Sequence, residues 1–354
     1  MTTSSPPEAK TLAICSTFTE YFLRRLSPNY VAWEDLKWSI ESLVSSEEER
    51  RDLSSSVLGS LEKAVSFPVS RIYLRSVFTK TGLWLREPCE LNIVGLDSEE
   101  DFNFVFKSYE DGSVTLLEEN DSKVMGHGTT GLVSWQGAGL ALEWANCLGI
   151  NVLKGANVLE LGSGLGLLGI SLVKNKDIGI HSYVSTDGHP DVLNFLVNNA
   201  RINLGGQPEL RDSLSSWLIS GPPSVVENLN AEYTDIAINS TFRVKYLNWC
   251  QYYEDQLPED IDVILGSDLV YDVKLLPSLC SLLEKLIKRK PGCVAYISCT
   301  QRTFETLENF LRALRDVCLK ADVVIKRTYS PVNDSVMMTH ESFKPIVLYK
   351  ITHE

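Results

Sequence analysis

Between Thr11 and about Leu85 the apolar residues fall at helical spacing. Phe18, Tyr21, Phe22 and Leu26 form one set, Trp33, Leu36, Ile40 and Leu43 a second, and Leu53, Val57, Leu61 and Val65 a third. Pro28, Pro68 and Pro88 punctuate them. This pattern predicts a small helical module over 11–100. A polar, proline-containing tail at 1–10 reads as disordered, and the acidic stretch Leu96-Asp-Ser-Glu-Glu-Asp-Phe102 bounds the module. The period then drops to two. Phe102-Asn-Phe-Val-Phe106, the turn Glu110-Asp-Gly112 and Val114-Thr-Leu-Leu117 predict a hairpin.

Beyond the hairpin, strand and helix patterns alternate. Strands are expected over 157–161, 181–186, 242–247, 262–265 and 293–298. Helices are expected over 137–148, 167–173, 192–202, 274–288 and 303–319. Two further strands, 322–326 and 345–351, close the chain. Such alternation predicts an α/β domain over 101–354 with a doubly wound, mostly parallel sheet. The last two strands have no good helix between them and read as an antiparallel hairpin at the sheet edge. Residues 205–241, with Gly205-Gly206, Pro208 and Gly221-Pro-Pro223, break the rhythm and read as an insertion at the rim.

Composition narrows the partners. The 354 residues suffice for two domains and for a core without disulfide or metal staples. Lys and Arg number 33 against 46 Asp and Glu, a net charge of −13. A chain this acidic repels a phosphate backbone unless it gathers a dense basic patch, and the sequence shows none. Nucleic acid is therefore disfavoured as the primary partner, and a basic protein surface is the more natural one. Eight cysteines stand at irregular spacing, none in a Cys-x-x-Cys pair, and read as reduced thiols of a cytoplasmic protein. No His-x-x-x-His pair suggests a metal site. The start has no secretory pattern and no run of 18 apolar residues occurs, so neither a signal nor a membrane span is expected.

The chemistry concentrates in Val158-Leu-Glu-Leu-Gly-Ser-Gly-Leu-Gly-Leu-Leu-Gly169, a strand running into a glycine loop and then a helix. Glycine there allows a tight turn and lets a ligand approach bare backbone. In an open parallel sheet, ligands bind outside the carboxyl ends of the strands. Gly164-Leu-Gly-Leu-Leu-Gly169 also matches the dinucleotide pattern, but that match alone is weak, and no acid or base for hydride transfer stands out. Asp187 ends the next strand, where a carboxylate can accept both hydroxyls of a ribose or cap the following helix.

Glu160 placed before Gly162, Gly164 and Gly166 resembles the loop of class I methyltransferases, which bind S-adenosylmethionine. Further segments narrow the likeness. Gly128-Thr-Thr-Gly-Leu-Val-Ser-Trp135-Gln-Gly-Ala138, Leu247-Asn-Trp249 and Asp268-Leu-Val-Tyr271 together look like the seven-β-strand protein-lysine methyltransferases. The first of these and the helical N-terminal part are most similar to the elongation factor 2 lysine methyltransferases of eukaryotes. The resemblance implies a seven-stranded Rossmann-like sheet, S-adenosylmethionine as cofactor and a protein substrate; a monomer is expected. Residue by residue it implies that Trp135 lies near the methionine end of the cofactor. Glu160, Gly162, Ser163, Gly164 and Gly166 would form the loop, Asp187 would hold the ribose, Trp249 would flank the adenine and Ser267 would lie beneath the cofactor. Asp268 and Tyr271 would face the substrate lysine. Relatives often carry Leu-Asp-Trp where this chain has Asn248, whose carbonyl oxygen can still accept a hydrogen bond.

Methyl transfer to lysine needs the neutral amine, although a free lysine has a pKa of about 10.4. The site must therefore align the amine and disfavour its charge, and no covalent enzyme intermediate is needed. On this reading Asp268 orients the lysine and Tyr271 forms part of an aromatic channel. Asp268-Leu-Val-Tyr271 lacks the two prolines of the nucleic-acid amino-methyltransferases. Packing roles for Trp135 and Trp249 stay open here, as do another protein or a small molecule as substrate, and a cofactor-binding protein without turnover.

Overall fold

The computed structural model describes residues 6–24, 31–65, 67–69, 71–84, 102–109, 113–120, 128–205, 214–225, 235–328 and 344–354. They fall into two compact units. One takes the described residues up to 120 together with 214–221, and the other those of 128–205, 222–328 and 344–354.

The first unit follows the helical spacing. Its helices are α1 (Pro6–Leu23), α2 (Val31–Leu43), α3 (Glu47–Ala64) and α4 (Arg71–Thr81). α1 opens at Pro6, so residues 6–10 of the stretch expected to be disordered are helical; residues 1–5 lie outside the described residues. Proline suits a helix's first turn because its missing N–H would have no partner there. Ser46 caps α3 in a reciprocal pair with Glu49. The helices meet through aromatic edges: Phe18 lies 5.2 Å from Trp33 and 5.1 Å from Phe78, ring centre to ring centre. The hairpin forms as expected, β1 (Phe104–Tyr109) pairing antiparallel with β2 (Val114–Glu119); its turn at 110–112 lies outside the described residues, as do 96–101 of the acidic stretch. It packs with the helical unit, Phe106 meeting Phe67 at 5.0 Å. A short helix, Leu214–Ser220 (α9 in chain order), joins it, and Asn103 Nδ2 donates to Ile219 O at 2.8 Å.

The second unit is the alternating part. In chain order it comprises α5 (Gln136–Cys147), α6 (Ile150–Leu153), β3 (Asn157–Leu161), α7 (Leu167–Lys174), β4 (Ser182–Asp187), α8 (Pro190–Leu204), β5 (Asp235–Ala237), β6 (Phe242–Tyr246), β7 (Val263–Ser267), α10 (Leu276–Arg289), β8 (Val294–Thr300), α11 (Phe304–Asp316), β9 (Leu319–Arg327) and β10 (Ile346–His353). The strands form one sheet in the order β5-β6-β4-β3-β7-β8-β10-β9. The five central strands, β6 to β8, run parallel, whereas β5, β10 and β9 join antiparallel. The doubly wound, mostly parallel expectation therefore holds, with eight strands instead of seven. The extra strand, β5, comes from the stretch read as an insertion, of which 206–213 and 226–234 lie outside the described residues. The helix expected over 303–319 stops at Asp316, because Cys318 takes a left-handed φ of 59° and Leu319 already starts β9.

Alternation along the strands sorts the two faces. Leu159, Leu161, Ile264, Ile297 and Val347 join α10 and α11 in one apolar cluster. The intervening residues face the other layer, where Trp144 of α5 stacks on Tyr296 at 4.1 Å. In that layer α5 adjoins α7, and α7 adjoins α8. The chain runs outward from β3 to β4 and β6, then returns to β3's other side at β7. This reversal places a crevice at the carboxyl ends of β3 and β7.

Close approach of α7 to the sheet depends on Gly169. A β-carbon there would lie 2.5 Å from Tyr183 Cε1 and 2.9 Å from Ser185 Oγ, and both side chains are held by hydrogen bonds to Glu160. Gly169→Ala is expected to lower stability by about 1–3 kcal/mol through overpacking, read as a lower urea midpoint at unchanged slope. An unaltered midpoint would show that Tyr183 can move.

Candidate active site

The sequence Glu-Leu-Gly-Ser-Gly-Leu-Gly turns sharply as it leaves β3. Gly162, Gly164 and Gly166 take φ values of 59°, 52° and 90°. Only glycine reaches that region without strain. Gly162 is also crowded: a β-carbon would come 2.6 Å from Leu269 Cδ2 and 3.2 Å from the Trp249 ring. Ser163 latches the loop to β4. Its N–H donates to Thr186 O at 2.8 Å, and Thr186 N–H donates to Ser163 Oγ at 3.0 Å. Thr186 Oγ1 also donates to Glu160 O at 2.7 Å.

Asp187 ends β4 with its carboxylate turned to the same loop. Oδ2 accepts from Gly164 N–H at 3.2 Å and Oδ1 from His189 N–H at 2.9 Å. Burial pushes its carboxyl above the ordinary aspartate range, against the pull of the His189 and Gly164 amides. The helix cap proposed as an alternative falls on His189, the residue before α8.

These residues line a cavity of about 630 Å³ at the carboxyl ends of the strands. That is within the usual size of a pocket for a small organic cofactor, roughly 300–1,000 Å³. Of the residues expected from sequence, Trp135, Gly162, Ser163, Gly164, Asp187, Trp249, Ser267, Asp268 and Tyr271 all line it. Glu160 and Gly166 do not. Gly166 instead caps α7, a β-carbon there lying 2.4 Å from Leu196. Glu160 points into the layer below, where its Oε2 accepts from Tyr183 Oη at 2.9 Å and from Ser185 Oγ at 3.3 Å. Burial pushes the Glu160 carboxyl up to about 7, although the Ser163, Tyr183 and Ser185 hydroxyls pull it down.

Trp135 sits just before α5, its Nε1 donating to Thr130 O at 2.8 Å. Asn248 and Trp249 occupy a turn after β6, where Asn248 Oδ1 accepts from Cys250 N–H at 2.9 Å. That oxygen thus keeps one lone pair for a ligand. Ser267 ends β7. Tyr271 stands at the rim, 49% exposed. Asp268 follows β7 with a left-handed φ of 53° and a side chain only 3% exposed. Its Oδ2 accepts from Gly137 N–H at 2.6 Å and its Oδ1 from Thr300 N–H at 2.8 Å.

Sequence reasoning missed several wall residues, Arg302 and His189 among them. The Arg302 guanidinium lies 4.7 Å over the Trp135 ring and 4.0 Å from Asp268 Oδ1. Its one sequence signal is its place just past a strand's carboxyl end, which becomes informative only once β8 is known to lie beside β7.

The chain is also similar to known proteins. The chain matches the family described as lysine methyltransferase over residues 119–217 and 218–317. It is 30% identical over 332 residues to protein-lysine N-methyltransferase EEF2KMT of Bos taurus, covering 87% of this chain and 90% of that protein. It is 31% identical over 202 residues to protein-lysine N-methyltransferase EFM3 of Chaetomium thermophilum, covering 56% of this chain and 51% of that protein. A magnesium protoporphyrin IX methyltransferase from Synechocystis, solved with bound SAM, is similar at a TM-score of 0.36 and 15% identity, covering 61% of this chain and 77% of that one.

The buried Glu160 yields a pH signature. Its folded-state pKa lies above the ordinary glutamate value, so between about 4.5 and 7 the folded state binds more protons than the unfolded state. Stability should therefore fall as the pH rises through that window and level off above it. The loss is on the order of 3 kcal/mol. Chemical denaturation at a series of pH values should show the slope in the native chain and a flatter profile in Glu160→Gln. An equal slope in both would place its origin elsewhere.

Proposed function

Because the chain belongs to the lysine methyltransferase family, we propose that its protein substrate is translation elongation factor 2, which it methylates on lysine, as a monomer, in the cytoplasm. The chain is an S-adenosylmethionine-dependent protein-lysine N-methyltransferase. One observation supports the narrower reading of the substrate. The likeness to EEF2KMT covers 87% of this chain, and so takes in most of the helical unit as well as the sheet unit. The seven free cysteines among the described residues suit a reducing compartment. Among those residues no helix is long and apolar enough to cross a membrane.

The residues of the cavity fit the cofactor. Asp187 supplies an acceptor-only carboxylate for the ribose hydroxyls. Gly162 and Gly164 leave bare backbone for the amino acid end, and the crowding at Gly162 leaves no room for a β-carbon. Trp249 would flank the adenine, Trp135 would stand by the methionine end, and Ser267 would lie beneath. When bound, the cofactor supplies an electrophilic sulfonium methyl group. The chain's own residues would present the lysine to it as a neutral amine. Tyr271 and Trp135 give the lysine an aromatic wall. Arg302 adds a like charge beside that wall, which disfavours the ammonium form and favours the nucleophilic amine.

The test is transfer of labelled methyl groups from S-adenosylmethionine into a cytosolic extract that lacks this protein, read on a gel and by mass spectrometry. One labelled band at the mass of elongation factor 2, with the label on lysine, is expected. A different single labelled protein would keep the chemistry and discard the target, and an unlabelled extract would favour a small-molecule acceptor or a binding role. In parallel, Asp187→Ala should weaken S-adenosylmethionine binding, measured by calorimetry, at least tenfold, or about 1.4 kcal/mol. Unchanged affinity would remove Asp187 from the ribose.

A further inference from the structure

We infer that Asp268 is a positioning residue: its carboxylate ties the first turn of α5, and with it Trp135, to the ends of β7 and β8, and it does not hold the substrate lysine. The resemblance of the motif implies a carboxylate facing the lysine. In the fold, both oxygens already accept from backbone amides, those of Gly137 and Thr300. The Gly137 amide lies in the first turn of α5, where helical N–H groups have no partner within the helix and a carboxylate is favoured. The side chain is 3% exposed, so its remaining lone pairs have little opening to the cavity.

The tie is closed on itself. Asp268 N–H donates to Ser298 O at 2.8 Å, and Ser298 Oγ donates to Gly137 O at 2.7 Å. Gly137, Asp268 and Ser298 thus form a ring of hydrogen bonds, with Thr300 attached through the carboxylate. The ring has no slack, since a β-carbon at Gly137 would lie 2.6 Å from Oδ2 and 2.9 Å from the carboxyl carbon. It also holds Asp268 in its left-handed conformation, which costs a non-glycine residue energy and persists only where neighbours enforce it. Trp135 is two residues before Gly137. Fixing Gly137 therefore fixes the Trp135 ring on the cavity wall, and over it the Arg302 guanidinium.

The inference rests on this cavity being the cofactor site but not on the identity of the protein substrate, so the test reads cofactor binding. S-Adenosylmethionine affinity would be measured by calorimetry for Asp268→Asn, Gly137→Ala, their double variant and Ser298→Ala, with thermal midpoints alongside. Asparagine tolerates the left-handed backbone, so Asp268→Asn keeps the fold's local preference. It can no longer accept from both amides. Asp268→Asn and Gly137→Ala should each weaken binding by about tenfold or more, and the double variant should be no worse than about threefold beyond the weaker single, the non-additivity of one shared contact. Ser298 lies outside the cavity wall and still should lose about threefold through the ring. In steady-state methylation the cofactor KM should rise while the KM for the protein substrate and the pH profile of kcat stay as they are. Wild-type cofactor affinity in Asp268→Asn and Ser298→Ala, with methylation lost only in the former, would overturn the inference and return Asp268 to the lysine. If Asp268→Asn does not fold, Ser298→Ala and Gly137→Ala decide: unchanged affinity in both overturns it.

Discussion

The glycine loop keeps its shape because Ser163 and Thr186 exchange two hydrogen bonds across the ends of neighbouring parallel strands. The glycine-loop end of the cavity takes its shape from that latch. It sets the turn at Gly162, whose missing side chain admits Leu269 and the Trp249 ring. It also aims the Gly164 amide at Asp187, so that one oxygen of that carboxylate is held by backbone. Parallel pairing of β3 with β4 in the register Glu160 to Ser185 places the two halves of the latch side by side. A register slip would turn every side chain to the opposite face.

Three carboxylates surround this region, and their environments assign them different work. Glu160 is sealed below the loop among hydroxyls, and burial raises its pKa to about 7. It organises Tyr183 and Ser185 under α7 and takes no part in the cavity wall. Asp187 meets the cavity while two backbone amides steady it. Asp268 is engaged by backbone on both oxygens and fastens a helix. An acid in a site motif is thus no guide to what its oxygens touch. The count and direction of the donors around it decide that.

Much of the fold was legible from periodicity. Three helices of the N-terminal part, the hairpin, and most of the strands and helices from β3 to β10 follow spacing of apolar residues, and their ends differ from expectation by a few residues; α4, and α9 within the stretch read as an insertion, were not picked out. The glycine loop was legible because a run of glycines after an apolar strand has few other uses. The Asp187 position was legible because it ends the next strand. Less legible were the start of α1 at Pro6, the short edge strand β5, and the early stop of α11 at Asp316, where one cysteine in a left-handed conformation ends the helix.

The sequence by itself determined the class of the protein: local period dictates helix or strand, alternation dictates a parallel sheet, and the carboxyl ends of parallel strands dictate where the site lies. Tertiary structure alone decided which side chains share the cavity. Gly137 and Asp268 are 131 residues apart, and Thr300 and Ser298 lie about 30 residues further on. Their meeting depends on β7 lying next to β8 while α5 packs across both, an adjacency no local pattern encodes. The same holds for Arg302 over Trp135 and for the burial of Glu160. Hydrogen bonds and charges act over a few ångströms of space, whereas the sequence specifies neighbours only along the chain.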